Sequence, residues 1–294
     1  MERIDALRFA RICEEIMRRP WGNGRADNGD SAFGGIGTLR EKRLHAAVKR
    51  YLCEDITAHE RVVGDMAAEV DGDGRIIGKR RRMVADILTP DGEIFEVQTG
   101  GLYPLRKKIE WYLSHTTHRV TVVCPLPAVK YLSWISPDDG EVISRHKSPK
   151  RGQVKDLAKE LYWLAPFVGH PRFSLRVLLL ELEEYRLADG WSADGKRGSN
   201  RYDRFPTALL GDETLDVAED YARHFLPDAI PCHESFTAAM YAKATGIRGK
   251  ATYSTLRLLC QLGILREGEK IGRSQGFVRV WGKMVLGENK NCAF

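Results

Sequence analysis

Residues 83–98, which read MVADILTPDGEIFEVQ, predict the centre of the fold. Two short runs of alternating apolar residues enclose the tetrapeptide TPDG, and Asp-Gly between such runs is typical of a β-hairpin. Asp86 lies in the first predicted strand, whereas Glu96 and Gln98 lie in the second. Because alternate side chains of a strand share a face, Glu96 and Gln98 are expected on one side, with Asp86 beside them.

Two neighbouring carboxylates in a sheet favour a bound cation. Asp86 and Glu96 would repel each other, and this repulsion would raise their proton affinity unless a cation lay between them. Hard oxygen ligands with open water positions suit Mg²⁺ or Mn²⁺, and a metal held in this way polarises a phosphate and activates a water molecule. The predicted hairpin is therefore a candidate divalent-metal site.

The spacing of these residues resembles a nuclease signature. Asp86, nine intervening residues and then Glu96-Val97-Gln98 resemble the active-site motif of the PD-(D/E)xK nuclease superfamily, with Gln98 in place of the final lysine. The core of that family runs helix, three strands, helix, strand, and the sequence predicts elements in that order. They are a helix at 38–52, a strand near 66–70, the two hairpin strands, a helix at 102–113 and a strand at 119–124 that Pro125 is expected to end.

The resemblance covers roughly residues 38–125 and carries implications for fold and ligands. It implies an α/β fold with a restriction-endonuclease-like central mixed sheet flanked by helices. It also implies that Asp86 and Glu96 hold Mg²⁺ or Mn²⁺ with help from the Val97 carbonyl. Glu41, on the first predicted helix, matches the position where the family often places another acidic group near the metal.

Gln98 departs from the family pattern. The resemblance implies that Gln98 orients the attacking water, but a neutral amide cannot supply positive charge. Lys108, at the margin of the apolar face of the second predicted helix, is the expected source of that charge, and Lys107 is the alternative. For either lysine, a side chain that extends into solvent is an equally good interpretation.

The first predicted helix carries a polar stripe at the border of its apolar face. Glu41, His45 and Lys49 recur every four residues along it. For His45 and Lys49, an ion pair at the helix boundary is the favoured interpretation, ahead of a role in the candidate site.

The C-terminal part of the sequence resembles a winged helix-turn-helix domain. Its predicted elements are a helix capped by Ser235 that reaches Ala244, a turn at Thr245-Gly246, a second helix at 250–262 and a hairpin that pairs 264–267 with 277–281. Between residues 236 and 283, nine basic residues are accompanied by two acidic ones. This basic excess favours DNA as the partner, although winged helices also mediate protein interaction and dimerisation.

The winged-helix resemblance implies a mode of DNA contact. The second helix would enter a major groove, and the wing would contact phosphates. The residues assigned to these contacts are Arg248, Lys250, Thr252, Tyr253 and Arg257 in the helix and Lys270 and Arg273 in the wing. A basic stretch at residues 145–151, predicted to be a loop, is a further candidate for phosphate contact.

Composition and charge limit the classes of protein. The 294 residues carry a net charge of +6 with a pI near 9.0, which permits a polyanionic partner. The six cysteines show no CxxC pair and no metal-binding spacing, which predicts a reducing compartment without a disulfide scaffold or zinc site. With no signal peptide and no apolar run of about 18 residues, we expect a cytoplasmic protein without a membrane partner.

We expect three segments along the chain. Residues 1–37 form an N-terminal helix and a flexible glycine-rich segment, and the helix is expected to pack on the chain or to form a homodimer contact. Residues 38–206 form the nuclease-like domain. Residues 207–294 form the winged-helix-like domain, entered through Pro206 and a turn at 209–212.

The sequence thus predicts a Mg²⁺-dependent phosphodiester hydrolase. Its expected activity is that of a DNA endonuclease with a winged-helix DNA-binding domain. Three alternatives stay open: a DNA-binding regulator whose nuclease fold is catalytically silent, a protein-interaction module, and an RNA-processing nuclease.

Overall fold

The computed structural model describes residues 3–18, 43–66, 72, 81–188, 201–230, 232 and 234–280. Its α-helices are α1 (Arg3–Met17), α2 (Arg43–Leu52), α3 (Arg106–His115), α4 (Ala158–Leu164), α5 (Ala218–Phe225), α6 (Ala238–Thr245) and α7 (Lys250–Gln261). Its strands are β1 (His59–Met66), β2 (Arg81–Leu88), β3 (Glu93–Val97), β4 (Arg119–Ile135), β5 (Val142–Lys147), β6 (Phe173–Leu187), β7 (Arg201–Leu215), β8 (Ser235–Thr237), β9 (Leu265–Ile271) and β10 (Ser274–Arg279). Within these ranges, no helix is long and apolar enough to cross a membrane.

The chain divides into two compact units. The first contains residues 1–154 and 170–214, and the second contains residues 155–169 and 215–294. The sequence had placed helix α4 in the nuclease-like domain, whereas α4 packs against α7 within the second unit. The boundary expected near residue 206 falls inside strand β7 of the first unit.

The first unit is built on one mixed sheet, as the sequence predicted for an α/β protein. Its strand order is β1-β2-β3-β4-β6-β7, and β5 pairs with β4. The pairs β1–β2 and β2–β3 are antiparallel, whereas β3–β4 and β4–β6 are parallel. A parallel pair needs a crossover connection, and α3 supplies it between β3 and β4.

The predicted hairpin is confirmed as β2 and β3. Ile87 pairs with Phe95 and Leu88 pairs with Ile94. Gly92 has a φ of 82°, which a residue with a Cβ seldom adopts, so the Asp-Gly sequence allows the tight turn. The hairpin therefore places Asp86 of one strand close to Glu96 of the other.

Strand β4 is much longer than the sequence predicted, because it continues through Pro125 and Pro127. The Val123 carbonyl accepts a hydrogen bond from Gln98 N, and the Pro127 carbonyl accepts one from Gly152 N, both on the flank away from β6. In a parallel strand the N–H and C=O of one residue point to the same side, so both proline nitrogens face that flank. Strand β3 has ended there, and no ladder bond is lost.

The strand expected near residues 66–70 falls largely outside the described residues, because only Met66, the last residue of β1, is described there. A second expectation for the first unit is wrong. The segment around Pro206 and the turn expected at 209–212 are parts of strand β7. Because β7 is the last strand in the sheet order, a proline there need not break a ladder.

Helices cover both faces of the sheet beside the hairpin. Phe95 and Val97 belong to the apolar cluster that α1 and α2 bury. Glu96, which lies between them, meets Tyr112 of α3, and alternation along β3 therefore places α3 on the opposite face. Ile109 of α3 is fully buried. The 3₁₀ turn Tyr103–Leu105 precedes α3, so the helix predicted at 102–113 begins and ends slightly later.

The second unit contains a three-stranded sheet of order β8-β10-β9 with α4, α5, α6 and α7. Ser235 does not cap a helix as expected, because it starts β8, and the Thr237 side chain caps α6 by accepting from Met240 N. Gly246 ends α6 in the left-handed conformation with a φ of 76°. The predicted hairpin is confirmed as β9 and β10, although Trp281 lies outside the described residues.

Candidate active site

Glu96 is a buried carboxylate at the end of β3. Its side chain is 2% exposed to solvent. Lys108 Nζ donates to Glu96 Oε2 at 2.6 Å, and the Tyr112 hydroxyl donates to Glu96 Oε1 at 3.0 Å. Lys108 and Tyr112 are four residues apart on α3, so they share one helical face. Each oxygen of Glu96 therefore has one donor from α3.

Asp86 of β2 is the second carboxylate of the site. Its Oδ2 accepts a hydrogen bond from Val97 N at 2.7 Å and lies 3.2 Å from His45 Nε2. His45 comes from α2, so this helix and both hairpin strands meet at Asp86. Within the described residues, both hydrogen-bond contacts of Asp86 fall on Oδ2 and none on Oδ1.

The two carboxylates differ in their proton affinity. The pKa of Glu96 is raised to about 7, chiefly by burial and also by the negative charge of Asp86, whereas Lys108 and the Tyr112 hydroxyl act to lower it. Burial would also raise the pKa of Asp86, but His45, the Val97 N–H and Lys108 outweigh it and hold that pKa below its ordinary value. At neutral pH, Asp86 is thus ionised and Glu96 is near the midpoint of its titration.

Asp86 and Glu96 are the two carboxylates of the site that could hold a metal, and each oxygen of Glu96 already accepts a hydrogen bond from α3. Asp86 and Glu96 lie within electrostatic reach of each other, and Mg²⁺ in proteins is often bound by one or two carboxylates plus waters and phosphates. The described ranges contain no group of three or more histidine, cysteine and acidic side chains that could hold a metal. Glu41 lies outside the described residues, so its assignment as a ligand stays a prediction.

The structure places Gln98 apart from the carboxylates. Its Nε2 donates to the Gly101 carbonyl at 2.5 Å, which ties the side chain to the loop that follows β3. Val97, expected to offer its carbonyl to a metal, contacts Asp86 through its N–H. Among the predicted catalytic residues, the structure therefore brings Asp86, Glu96 and Lys108 together. Within the described residues, the Gln98 side chain forms its hydrogen bond with Gly101 and not with a carboxylate of the site.

Sequence reasoning missed two side chains of the site, His45 and Tyr112. The stripe that included His45 was a usable signal, but it favoured an ion pair at the helix boundary. Lys49 pairs with Glu60 of β1 at 2.5 Å instead of a partner on its own helix, and His45 contacts Asp86. Tyr112 carried no polar signal, because it stands among the apolar residues of its helix and only its hydroxyl reaches Glu96.

In the second unit, the residues assigned to DNA contact lie on its surface. The exposed ones are Arg248, Lys250, Tyr253, Arg257, Lys270 and Arg273. Thr252 is wrong as a contact, because it is buried and its hydroxyl donates to the Ile247 carbonyl at 2.9 Å. Arg279, also counted in the basic excess, is buried and donates to the Ile230 carbonyl.

The fold and this site define a mixed α/β protein whose central sheet holds a buried glutamate and a partly buried aspartate beside a lysine. Residues 42–216 match the model of a domain of unknown function, DUF8091, and the chain belongs to that family. An uncharacterized protein of Treponema pallidum (strain Nichols) is 30% identical over 169 residues, which are 57% of this chain and 56% of that protein. The chain thus spans little more than half the length of this relative. No solved structure matches the chain.

Proposed function

We propose that the chain is a metal-dependent DNA endonuclease whose phosphodiester hydrolysis takes place at Asp86 and Glu96. One observation carries this proposal: Lys108 contacts the buried Glu96 beside Asp86, although the nuclease-like motif has no lysine of its own. Because Lys108 lies on α3, the positive charge comes from the helix and replaces the charge that Gln98 cannot supply.

The order of elements around the hairpin supports the same proposal. Helix α2, strands β1 to β3, helix α3 and strand β4 follow one another as in the core of the PD-(D/E)xK superfamily, which this part of the chain resembles. Glu96 lies next to the last residue of β3, Val97, and Val97 N donates to Asp86 of β2. A restriction-endonuclease-like core is therefore part of the proposal.

Each residue of the site would have a separate role in hydrolysis. Asp86 and Glu96 would hold Mg²⁺ or Mn²⁺, and a cation bound there would polarise a phosphate oxygen and lower the pKa of a bound water. His45 and the Val97 N–H hold Asp86 ionised and orient it. Lys108 stabilises negative charge that develops on the phosphate. Tyr112 fixes the second oxygen of Glu96.

The second unit would hold the DNA. Strand β8, helices α6 and α7 and the β9–β10 hairpin follow the order of a winged helix-turn-helix, which this part of the chain resembles. On α7, Lys250, Tyr253 and Arg257 are exposed at helical spacing, so they share one face that would enter a groove. Lys270 and Arg273 flank the hairpin turn and would contact phosphates.

A cleavage assay tests the nuclease proposal. Supercoiled plasmid and single-stranded DNA are incubated with the full chain in Mg²⁺, Mn²⁺ or EDTA. We expect metal-dependent cleavage that falls by about a hundredfold or more in Glu96→Gln, because the variant loses a charged metal ligand and keeps the size of the side chain.

The matched control for this assay is Glu93→Gln. Glu93 lies on the same strand as Glu96, but its carboxylate accepts from the Thr121 hydroxyl at 2.7 Å and stays apart from the Asp86 cluster. Cleavage by this control should remain close to that of the wild type. Full cleavage by Glu96→Gln, or equal loss in both variants, would end the assignment.

The placement of Gln98 favours a second candidate function. Its amide is bonded to Gly101 and supplies neither charge nor a contact to the carboxylates, as expected if the fold no longer catalyses hydrolysis. A DNA-binding regulator with a silent nuclease fold would bind DNA tightly without metal and would leave it uncut. A parallel RNA substrate in the same assay distinguishes an RNA-processing nuclease.

A further inference from the structure

Strand β5 and the segment after it form an exposed basic edge in the first unit. Residues 142–152 read VISRHKSPKRG and contain four arginine and lysine residues with no acidic residue. The sequence predicted a loop at 145–151, but 145–147 belong to β5, which pairs with β4. We use the term basic edge for Lys147, Lys150 and Arg151, all of which are exposed.

The basic edge continues the line of the strand that carries Glu96. Strand β6 pairs with one flank of β4, so β3 and β5 share the other flank. Val97 pairs with Val123, Gly152 N donates to the Pro127 carbonyl at 3.1 Å, and Lys147 pairs with Tyr131. Pro127 and Tyr131 are four and eight residues beyond Val123 on β4. At about 3.3 Å per residue, Gly152 therefore lies about 13 Å and Lys147 about 26 Å beyond the end of β3.

The segment between β5 and the site is held closely against β4. Ser148 N donates to the Lys130 carbonyl at 2.8 Å, and a Cβ on Gly152 would lie 2.4 Å from the Pro127 oxygen. No larger residue fits at position 152 without a shift of the backbone. Lys150 and Arg151 are therefore carried by a segment whose two ends are both fixed to β4.

Charge pairing separates Arg145 from the basic edge. Arg145 donates to both carboxylate oxygens of the buried Glu183, and its guanidinium lies 4.0 Å from the centre of the Tyr131 ring. Lys147 Nζ lies 5.5 Å from the centre of the same ring. Arg145 thus holds Tyr131 in place, and its charge is largely offset by Glu183.

The three cations of the basic edge are in a different situation. In the described part of the chain, no acidic side chain forms an ion pair with Lys147, Lys150 or Arg151. Within the first unit, the acidic residues nearest in sequence lie at the far end, at Asp138, Asp139 and Glu141, in and after the turn between β4 and β5. The charged side chains of residues 142–152 are therefore all basic, and the nearest acidic side chains along β5 lie at its start.

We infer that the basic edge binds the backbone of the nucleic acid strand that leaves the candidate active site. Duplex DNA advances 3.4 Å per nucleotide, so about 13 Å and about 26 Å correspond to roughly four and eight nucleotides beyond the scissile phosphate. Lys150 and Arg151 contact the nearer phosphates, and Lys147 contacts the farther ones. The inference rests on the proposed function, and it adds a phosphate contact in the first unit, separate from the groove contact of the second.

The salt dependence of binding tests this inference. Each phosphate contact releases about 0.9 counterions from duplex DNA, so removing three contacts lowers the slope of log K against log salt by about 3. Binding of the full chain to a duplex of about 24 base pairs is measured in EDTA at salt concentrations from about 50 to about 300 mM, because a slope needs a several-fold change in salt concentration. We expect that decrease in the triple variant Lys147→Gln/Lys150→Gln/Arg151→Gln.

Two control variants make the result specific. The first control, Arg11→Gln/Arg18→Gln, removes one exposed cation in α1 and one directly after it. The slope of log K against log salt for this control should equal that of the wild type. Arg145→Gln/Glu183→Gln removes both members of one ion pair and keeps the net charge, so its slope should stay within one contact of the wild type. An unchanged slope in the triple variant, or an equal decrease of the slope in the Arg11/Arg18 control, would overturn the inference. The proposed function would still stand if the wild type cleaves DNA. Failure of the wild type to bind any nucleic acid would overturn both.

Discussion

Glu96 illustrates how burial and neighbouring charges compete at a single residue. Burial raises its pKa from 4.5 to about 7 although Lys108 and Tyr112 both favour the ionised form. The folded chain therefore binds a proton that the unfolded chain has released between these two values. This contribution to stability is complete below about pH 4.5 and is lost as the pH rises through about 7.

Glu96→Gln should therefore change how stability depends on pH. The variant has no titrating group at this position, so the free energy of unfolding of the wild type should fall relative to it by about 3 kcal/mol between pH 4.5 and pH 8. Urea unfolding at both pH values, in EDTA to keep metal away, measures the difference. A difference that does not change with pH would show that the pKa of Glu96 is not raised.

His45 shows what side-chain patterns in a sequence leave open. The stripe of Glu41, His45 and Lys49 predicted a boundary ion pair on the helix itself, whereas the buried Lys49 pairs with Glu60 of β1, and Glu41 lies outside the described residues. His45 had the same helical position but a different neighbour, because the α2 face also passes Asp86 of β2. Helical spacing gives the direction of a side chain, whereas its partner depends on which strand lies beneath, and the sequence alone did not determine that.

Among the secondary-structure elements, those with strong local signals were predicted best. The Asp-Gly turn and its flanking alternation identified the β2–β3 hairpin, and the apolar face of the helix predicted at 102–113 identified α3. Prolines caused errors in β4 and β7. Pro125 and Pro206 were interpreted as strand or domain ends, yet a proline ends a strand only where its nitrogen faces a pairing neighbour. Which flank of a strand is paired depends on the whole sheet.

The contact between Gly152 and β4 gives a test at the level of these elements. A Cβ at this position would lie 2.4 Å from the Pro127 oxygen, so Gly152→Ala must displace the segment or the strand. We expect the free energy of unfolding to fall by about 1–3 kcal/mol. Chemical denaturation provides the measurement.

Gly100→Ala is the matched control for that substitution. The Cβ it adds would meet only Gln98 Nε2, at the ordinary distance of 3.9 Å. Its stability should lie within about 0.5 kcal/mol of the wild type. Equal stability of both alanine variants would contradict the close packing of residues 148–152 on β4.

For the chain as a whole, two compact units allow binding and chemistry to be separated. The carboxylate site lies entirely in the first unit, whereas the exposed cations of α7 lie in the second. If each unit performs its proposed task, a substitution in one should change one measured quantity and spare the other. Residues 155–169, which include helix α4, also belong to the second unit. A truncation at residue 206 would therefore remove only part of the second unit and leave this segment behind.

A pair of variants tests this separation in the full chain. Asp86→Asn should abolish cleavage and leave DNA affinity within a few fold, because it removes a metal ligand and keeps the basic surfaces. Lys250→Gln/Arg257→Gln should weaken DNA binding by about tenfold to a hundredfold, yet leave cleavage at saturating DNA nearly unchanged. Lys243→Gln/Arg266→Gln, which removes two other exposed cations of the second unit, serves as the charge-matched control. If the α7 variant and this control lose affinity equally, the second unit attracts DNA only through its net charge, and the groove contact assigned to α7 is wrong.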